Sequence, residues 1–213
     1  MTKPQRIAVL GGRGMLGTDL VQQLRKEGFT PTAYDLPECD ITDEAQLRKA
    51  VAGCDSIVNC AAYTNVDGAE TEQALADRVN ATAVRQLGQI AKDNQQWVLH
   101  ISTDFVFDGF GDHPYNETDA PSPLSEYGRS KLAGERLLTA TGCSCAIVRV
   151  QWTYGLHGTN FIKKLLERAK RMSELRVVDD QVGSPTATVD VARALCDLAC
   201  KKPEGLLHLA SQG

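Results

Sequence analysis

A tyrosine and a lysine four residues apart, in the run Tyr127-Gly-Arg-Ser-Lys131, carry the first chemistry legible in this chain. On a helix that spacing puts both side chains on one face, one turn apart. An ammonium beside a phenol stabilises phenolate, so Tyr127 is expected to ionise below its usual value of about 10. Such a phenol gives a proton to a carbonyl oxygen as hydride reaches the carbon, or takes one back in reverse. Thr103 stands at the end of the preceding apolar run, in Ile101-Ser102-Thr103-Asp104. A hydroxyl at the carboxyl end of a parallel strand can donate to the same carbonyl and share its developing charge. Thr103, Tyr127 and Lys131 are therefore the candidate catalytic set. A tyrosine and lysine at this spacing occur often by chance; their place at the far end of a long loop gives the pair its weight.

The second chemical signal lies at the start of the chain. The apolar run Arg6–Leu10 leads into Gly11-Gly12-Arg13-Gly14-Met15-Leu16-Gly17, and a helical pattern follows at once. Gly11, Gly14 and Gly17 serve a tight turn, a close approach of backbone to a pyrophosphate, and close packing of helix on strand. The helix N-terminus then offers free N–H groups and a positive dipole end to phosphate. Asp35 ends the second strand, 18 residues past Gly17. That is near the distance expected for the carboxylate that holds a ribose hydroxyl, which favours NAD. Arg13 points the other way, because a guanidinium in the loop can accept a 2′-phosphate. Both NADH and NADPH are thus expected as cofactors.

These residues need elements to position them. Candidate strands are Arg6–Leu10, Pro31–Tyr34, Ser56–Asn59, Trp97–Ser102, Ala146–Val150, Arg176–Val178 and Leu206–Leu209. Helical patterns lie between them at Met15–Glu27, Glu44–Ala52, Glu70–Asp93, Tyr127–Ala140, Asn160–Arg171 and Val189–Lys201. Strand–helix alternation with continuously apolar strands predicts an α/β fold: a doubly wound parallel sheet, Rossmann-type, covered on both faces. The irregular stretch from Asp108 to Glu126 is long enough to expect function of it. The alternation loosens after Arg149. The expected organisation is a dinucleotide-binding domain at 1–150, a small substrate lobe at 151–187, and a last helix and strand returning to the sheet at 188–213.

Composition narrows the partners. With 213 residues, one large domain or one and a half is expected, with a core that needs no staples. A net charge of −4, with charges scattered, speaks against nucleic acid. No apolar run approaches a membrane span or a signal peptide. The seven cysteines are odd in number and form no CxxC pair, which fits free thiols in a cytoplasmic protein. Cys143 and Cys145 read as strand-entrance residues, and Cys196 and Cys200 as small apolar residues sharing a helix face. His100 and His208 sit in apolar strands and read as core histidines, His113 and His157 as solvated ones. No metal site is expected, and a homodimer is left open.

The chain resembles the extended short-chain dehydrogenase/reductases, and within them the dTDP-4-dehydrorhamnose reductase family, which reduces a 4-keto-6-deoxy sugar nucleotide. The matching stretches are Gly11–Gly17, Asp40–Asp43, Val58–Asp67 with Ala69-Glu70, and Val79-Asn80. They continue with Ser102–Gly109, Pro114–Glu117, Tyr127–Glu135, Arg149 with Trp152, Asn160-Phe161 and Asp180–Thr186. The resemblance implies cofactor pyrophosphate contacts at Gly14, Met15 and Leu16, and an adenine flanked by Asp40 and Ile41. It also implies a nicotinamide path lined by Ala62, Tyr63 and Thr64. Tyr127 would be the proton donor, Lys131 would hold the nicotinamide ribose, and Thr103, Asp104 and Trp152 would contact the sugar. Phe105 stands where the family usually has tyrosine, which leaves the sugar itself open. Mg²⁺ is reported in some relatives, but Glu117, Asp119 and Glu126 read as a solvated acidic face. Two other readings stay open: a non-catalytic subunit like the regulatory β subunit of methionine adenosyltransferase, or a sugar-nucleotide epimerase, against which the Asp180–Thr186 block leans. Family members run on past the point matching Leu206–Leu209, so a truncated chain with an incomplete sugar lobe is expected.

Overall fold

The computed structural model describes residues 5–212; the outermost positions of the expected 1–150 and 188–213 segments lie outside them. Six strands form one parallel sheet: β1 (Arg6–Leu10), β2 (Thr30–Tyr34), β3 (Ser56–Asn59), β4 (Trp97–Thr103), β5 (Cys145–Val150) and β8 (Gly205–Leu209). Their order is β2-β1-β3-β4-β5-β8, so the chain changes direction across the sheet between β1 and β3. In open α/β sheets the ligand crevice lies outside the carboxyl ends of the strands at that switch point.

Both faces are covered, which explains the continuous apolar strands. On one face Ala8, Leu10, Ile57, Val98 and Ile147 pack with Leu47 and Val51 of α2 (Glu44–Val51), with Val84, Leu87 and Ile90 of α5 (Ala83–Asp93), and with Leu138 of α6 (Glu126–Thr141). On the other, Ile7, Val9, Val58, Leu99 and Val148 pack with Leu20 and Leu24 of α1 (Met15–Lys26), and with Val191 and Leu195 of α8 (Thr188–Lys201). Adjacent residues of each strand thus feed opposite cores.

Two expected elements differ. The helix expected over Glu70–Asp93 is interrupted: α3 (Val66–Ala69) and α4 (Gln73–Asp77) precede a π-helical turn at Arg78–Thr82, and α5 follows. The π turn carries Asn80, whose Oδ1 accepts the Tyr63 N–H at 2.9 Å and whose Nδ2 donates to the Tyr63 carbonyl at 3.0 Å. Arg176–Val178 is not a strand; Val177 and Val178 are exposed and find no sheet to join. Instead β6 (Thr153–Tyr154) and β7 (Thr186–Ala187) pair in a small parallel ribbon. Between them lies α7 (Phe161–Ala169), capped by Asn160, whose Oδ1 accepts the Lys163 N–H. Cys143 and Cys145 sit at the entrance of β5, while Cys196 is buried on α8 and Cys200 is exposed. No helix among the described residues is long and apolar enough to cross a membrane.

Candidate active site

The glycine loop turns at the carboxyl end of β1. Gly11 has φ +70°, a conformation L side chains rarely adopt, and a Cβ there would lie 2.6 Å from the Ala61 backbone nitrogen beyond β3. A Cβ at Gly17 would overlap the Gly11 carbonyl, so helix and loop can pack this closely only without one. Helix α1 begins at Met15 behind Gly14, with no side-chain cap and no acidic residue in its first turn. Its leading N–H groups are open to an anion. Met15 packs beneath the segment after β6, 3.4 Å from the positions a Cβ would take at Gly155 and Gly158, and Asn160 Nδ2 approaches its sulfur at 3.5 Å.

Asp35 closes the loop from β2: its carboxylate accepts the Arg13 N–H at 3.1 Å and the Leu36 N–H at 3.0 Å. The Arg13 guanidinium does not stand free for a phosphate. It forms a bidentate pair with Glu38, at 2.6 and 2.8 Å, exposed to solvent. Asp40 turns back on Thr42, accepting from its N–H and hydroxyl, and Ile41 packs into the core beneath. Past β3, Tyr63 is fixed by Asn80 and packs with Ala69, Ala76 and Tyr127, so of the run Ala62–Thr64 it is Tyr63 that meets the candidate catalytic set.

Helix α6 crosses the carboxyl end of β4. Ser125 caps it by accepting the Gly128 N–H, and its inner face carries Tyr127, Lys131 and Glu135 at successive turns, all buried. Phe105 meets the Tyr127 ring edge-on at 5.6 Å. The expected easy ionisation of Tyr127 is overturned: burial pushes the phenol up to about 12, the Asp104 carboxylate adds to the rise, and the Thr103 hydroxyl pulls against it. Lys131 does not offset this rise; its ammonium donates to the Ile101 carbonyl at 2.8 Å. Burial brings Lys131 itself down to about 8, opposed by Glu135. Thr103 donates to Asp104 at 3.1 Å and accepts the Phe105 N–H at 3.2 Å. Burial raises the Asp104 carboxyl above its usual range, against hydrogen bonds from Thr103 and Gln151.

Trp152 has φ +42°, strained for a bulky residue, yet the residue is 40% exposed. Its indole lies over Gly183, where a Cβ would come within 2.9 Å of the ring. Gln151 accepts the Ser184 N–H at 2.8 Å and thereby ties the β7 side to the site.

Residues that sequence reasoning left without a role surround this set. Arg149 and Glu135 form a buried bidentate pair at 2.6 and 2.9 Å, and the Ser102 hydroxyl donates to the same carboxylate. Asn59 Nδ2 contacts His100 Nδ1 at 3.1 Å. His208 is not a core histidine: it is half-buried, and its backbone N–H donates to Glu117 at 2.8 Å. His157 approaches Asp19 at 3.5 Å rather than standing free in solvent. A charged residue in the apolar run of β5, and a carboxylate one turn past Lys131, were the available signals. Among the described residues no three metal-ligating side chains cluster.

The family model for the RmlD substrate binding domain matches residues 5–213. The chain is 40% identical to a dTDP-4-dehydrorhamnose reductase of Mycobacterium tuberculosis, over 99% of this chain and 71% of that protein. It is 40% identical to a dTDP-4-keto-6-deoxy-D-glucose reductase of Streptomyces niveus, over 98% and 73%. Its fold is similar to the crystal structure of a Bacillus anthracis dTDP-4-dehydrorhamnose reductase in complex with NADP, with a TM-score of 0.95, 34% identity, and coverage of 99% and 76%.

Proposed function

We propose, because the chain belongs to the RmlD substrate binding domain family, that it is an NAD(P)H-dependent reductase of a nucleotide-linked 4-keto-6-deoxy sugar. The observation that carries this reading is the meeting of Thr103, Tyr127 and Lys131 at the carboxyl end of β4, beside the glycine loop at the switch point of the sheet. The loop fits a dinucleotide: its helix N-terminus is uncapped, Gly11 and Gly17 leave no room for side chains, and Asp35 stands at the neighbouring strand end. Gly14, Met15 and Leu16 would hold the pyrophosphate, Asp35 the ribose, and Ala62–Thr64 with Lys131 the nicotinamide side.

The reduced nicotinamide supplies the hydride that reaches C4 of the sugar. Tyr127 gives its proton to the C4 oxygen, turning ketone to alcohol. Burial favours this direction, since it keeps the phenol protonated across the neutral range. Thr103 donates to the same oxygen and shares its charge. Lys131 is an ammonium below about 8 and adds positive charge where the oxyanion develops. Asp104 and Trp152 flank the sugar, with residues 151–187 as the substrate lobe; the half-exposed indole offers a face for the apolar side of the ring. The free cysteines support a reducing, cytoplasmic setting.

The test mixes the protein with NADPH and a dTDP-4-keto-6-deoxyhexose and follows the near-ultraviolet absorbance of the reduced nicotinamide. Stoichiometric loss of absorbance with formation of the 4-hydroxy sugar is expected. Tight NADPH binding without oxidation would sink the reading in favour of a binding subunit. Interconversion of a 4-hydroxy sugar without net cofactor turnover would mark an epimerase.

A further inference from the structure

The inner face of α6 continues one turn beyond the catalytic pair, from Tyr127 through Lys131 to Glu135. Glu135 is buried in the interior of a domain, where a carboxylate needs partners to stay ionised. It has three hydrogen bonds: both oxygens take the Arg149 guanidinium, at 2.9 and 2.6 Å, and Ser102 adds its hydroxyl. Ser102 and Arg149 are register partners on β4 and β5, so the strand pairing itself presents two donors to one carboxylate. Ser102 immediately precedes Thr103, and Ile101, whose carbonyl receives Lys131, precedes Ser102. The network therefore grips the strand end that carries the catalytic hydroxyl and the helix face that carries the ammonium.

The charges around Lys131 make Glu135 matter. Cys60 faces Lys131 from the end of β3, but burial pushes this thiol up to about 12 and leaves it neutral. His100 faces it from β4, and burial holds that imidazole neutral too, well below its usual range. Tyr127 lies one turn away on α6 as a neutral phenol, with the Asp104 carboxyl acting on it. Arg149 on β5 adds a cation that Glu135 already engages. Among the described residues that act on Lys131, Glu135 is the anion that opposes its desolvation.

We propose that Glu135 is a positioning residue for the reduction: fastened by Arg149 and Ser102, its carboxylate keeps Lys131 in the ammonium form where that side chain meets the Ile101 carbonyl of β4. The proposal rests on the reductase reading for its purpose, but its test does not need the sugar. NADPH affinity is measured by fluorescence from pH 6.5 to 9.5 in the wild type, Glu135→Gln and Glu135→Asp. In the wild type, affinity weakens as pH rises through about 8, where Lys131 loses its charge. In Glu135→Gln that alkaline limb moves down by about one unit, so binding near pH 8 is several-fold weaker. Glu135→Asp restores the position of the limb, because it keeps the charge.

Glu135→Gln leaves the Arg149 charge without its partner, so a second variant guards against misfolding. Glu135→Gln combined with Arg149→Met leaves neither charge of the pair, and the lowered limb persists there. An unmoved limb in Glu135→Gln, or in the double variant where the single one does not fold, overturns the proposal and leaves the pair a structural brace. Failure of wild-type turnover with intact NADPH binding would instead overturn the reductase reading, and the binding profiles would still decide the role of Glu135.

Discussion

Tyr127 is the proton donor of the proposed reaction. Its hydroxyl is removed without a cavity in Tyr127→Phe, and the ring keeps its edge-on contact with Phe105. Turnover should fall by about 10²–10⁴ while NADPH affinity holds, as measured by steady-state kinetics beside fluorescence titration. An equal loss of both would assign Tyr127 to binding instead. Asp35, Arg13 and Glu38 form a triangle of charges at the proposed ribose site. Asp35→Ala should shift preference toward NADPH by about tenfold, ~1.4 kcal/mol, because it removes an anion from beside the 2′-phosphate. Glu38→Gln should shift it the same way by freeing the guanidinium. An unchanged ratio of the two dissociation constants in both variants would place the 2′ position elsewhere. The spacing of Tyr127 and Lys131 was readable from the chain. Their protonation was not, because burial and the carbonyl that captures the ammonium depend on how α6 lies across β4. The same holds for Arg13, whose partner Glu38 is 25 residues away.

At the scale of elements, α6, which carries Tyr127, packs closely on the π turn. Gly134 faces the Asn80 carbonyl, and a Cβ there would overlap that oxygen. Asn80 in turn bonds Tyr63 and the Ser130 hydroxyl, so one displaced backbone group disturbs α6, the π turn and the loop after β3 together. Gly134→Ala should cost about 1–3 kcal/mol. Melting temperature should fall by roughly 2–4 °C for each of these. KM for NADPH should rise with it, through the Tyr63 segment; a lower melting temperature with unchanged KM would confine the damage to packing. The strands of the main sheet were legible because burial on both faces leaves continuous apolar runs such as Ile7–Leu10 and Trp97–Leu99. The break within Glu70–Asp93 was hidden, since a π turn shifts the apolar stripe by a single residue, too little to interrupt the helical pattern. Arg176–Val178 misled for the opposite reason: β-branched residues suit a strand, but pairing needs a neighbour that sequence does not display.

Over the whole molecule, acid sensitivity follows from a histidine sealed at the middle of the sheet. His100 is fully buried, its Nε2 has no hydrogen-bond partner among the described residues, and burial holds its ionisation well below the usual 6.5. An unfolded chain takes up a proton there below 6.5 and the folded chain does not. The stability His100 contributes is therefore present above that pH and drains away as pH falls toward the folded value. Melting temperatures at pH 7.5 and 5.0 should differ more in the wild type than in His100→Gln; equal differences would place the acid-sensitive group elsewhere. The two halves of the molecule also stand on different footings. Helix α7 buries none of its nine residues, leaving Phe161 and Leu166 in solvent, while β4 is buried at six of seven positions. A helix that short has little reason to persist in water by itself. In deuterated buffer the amides of 161–169 should therefore take up label within the earliest time points, and those of 97–103 only on the clock of global unfolding. A ligand that lays weight on α7 would write its arrival into that first, fast-labelling stretch.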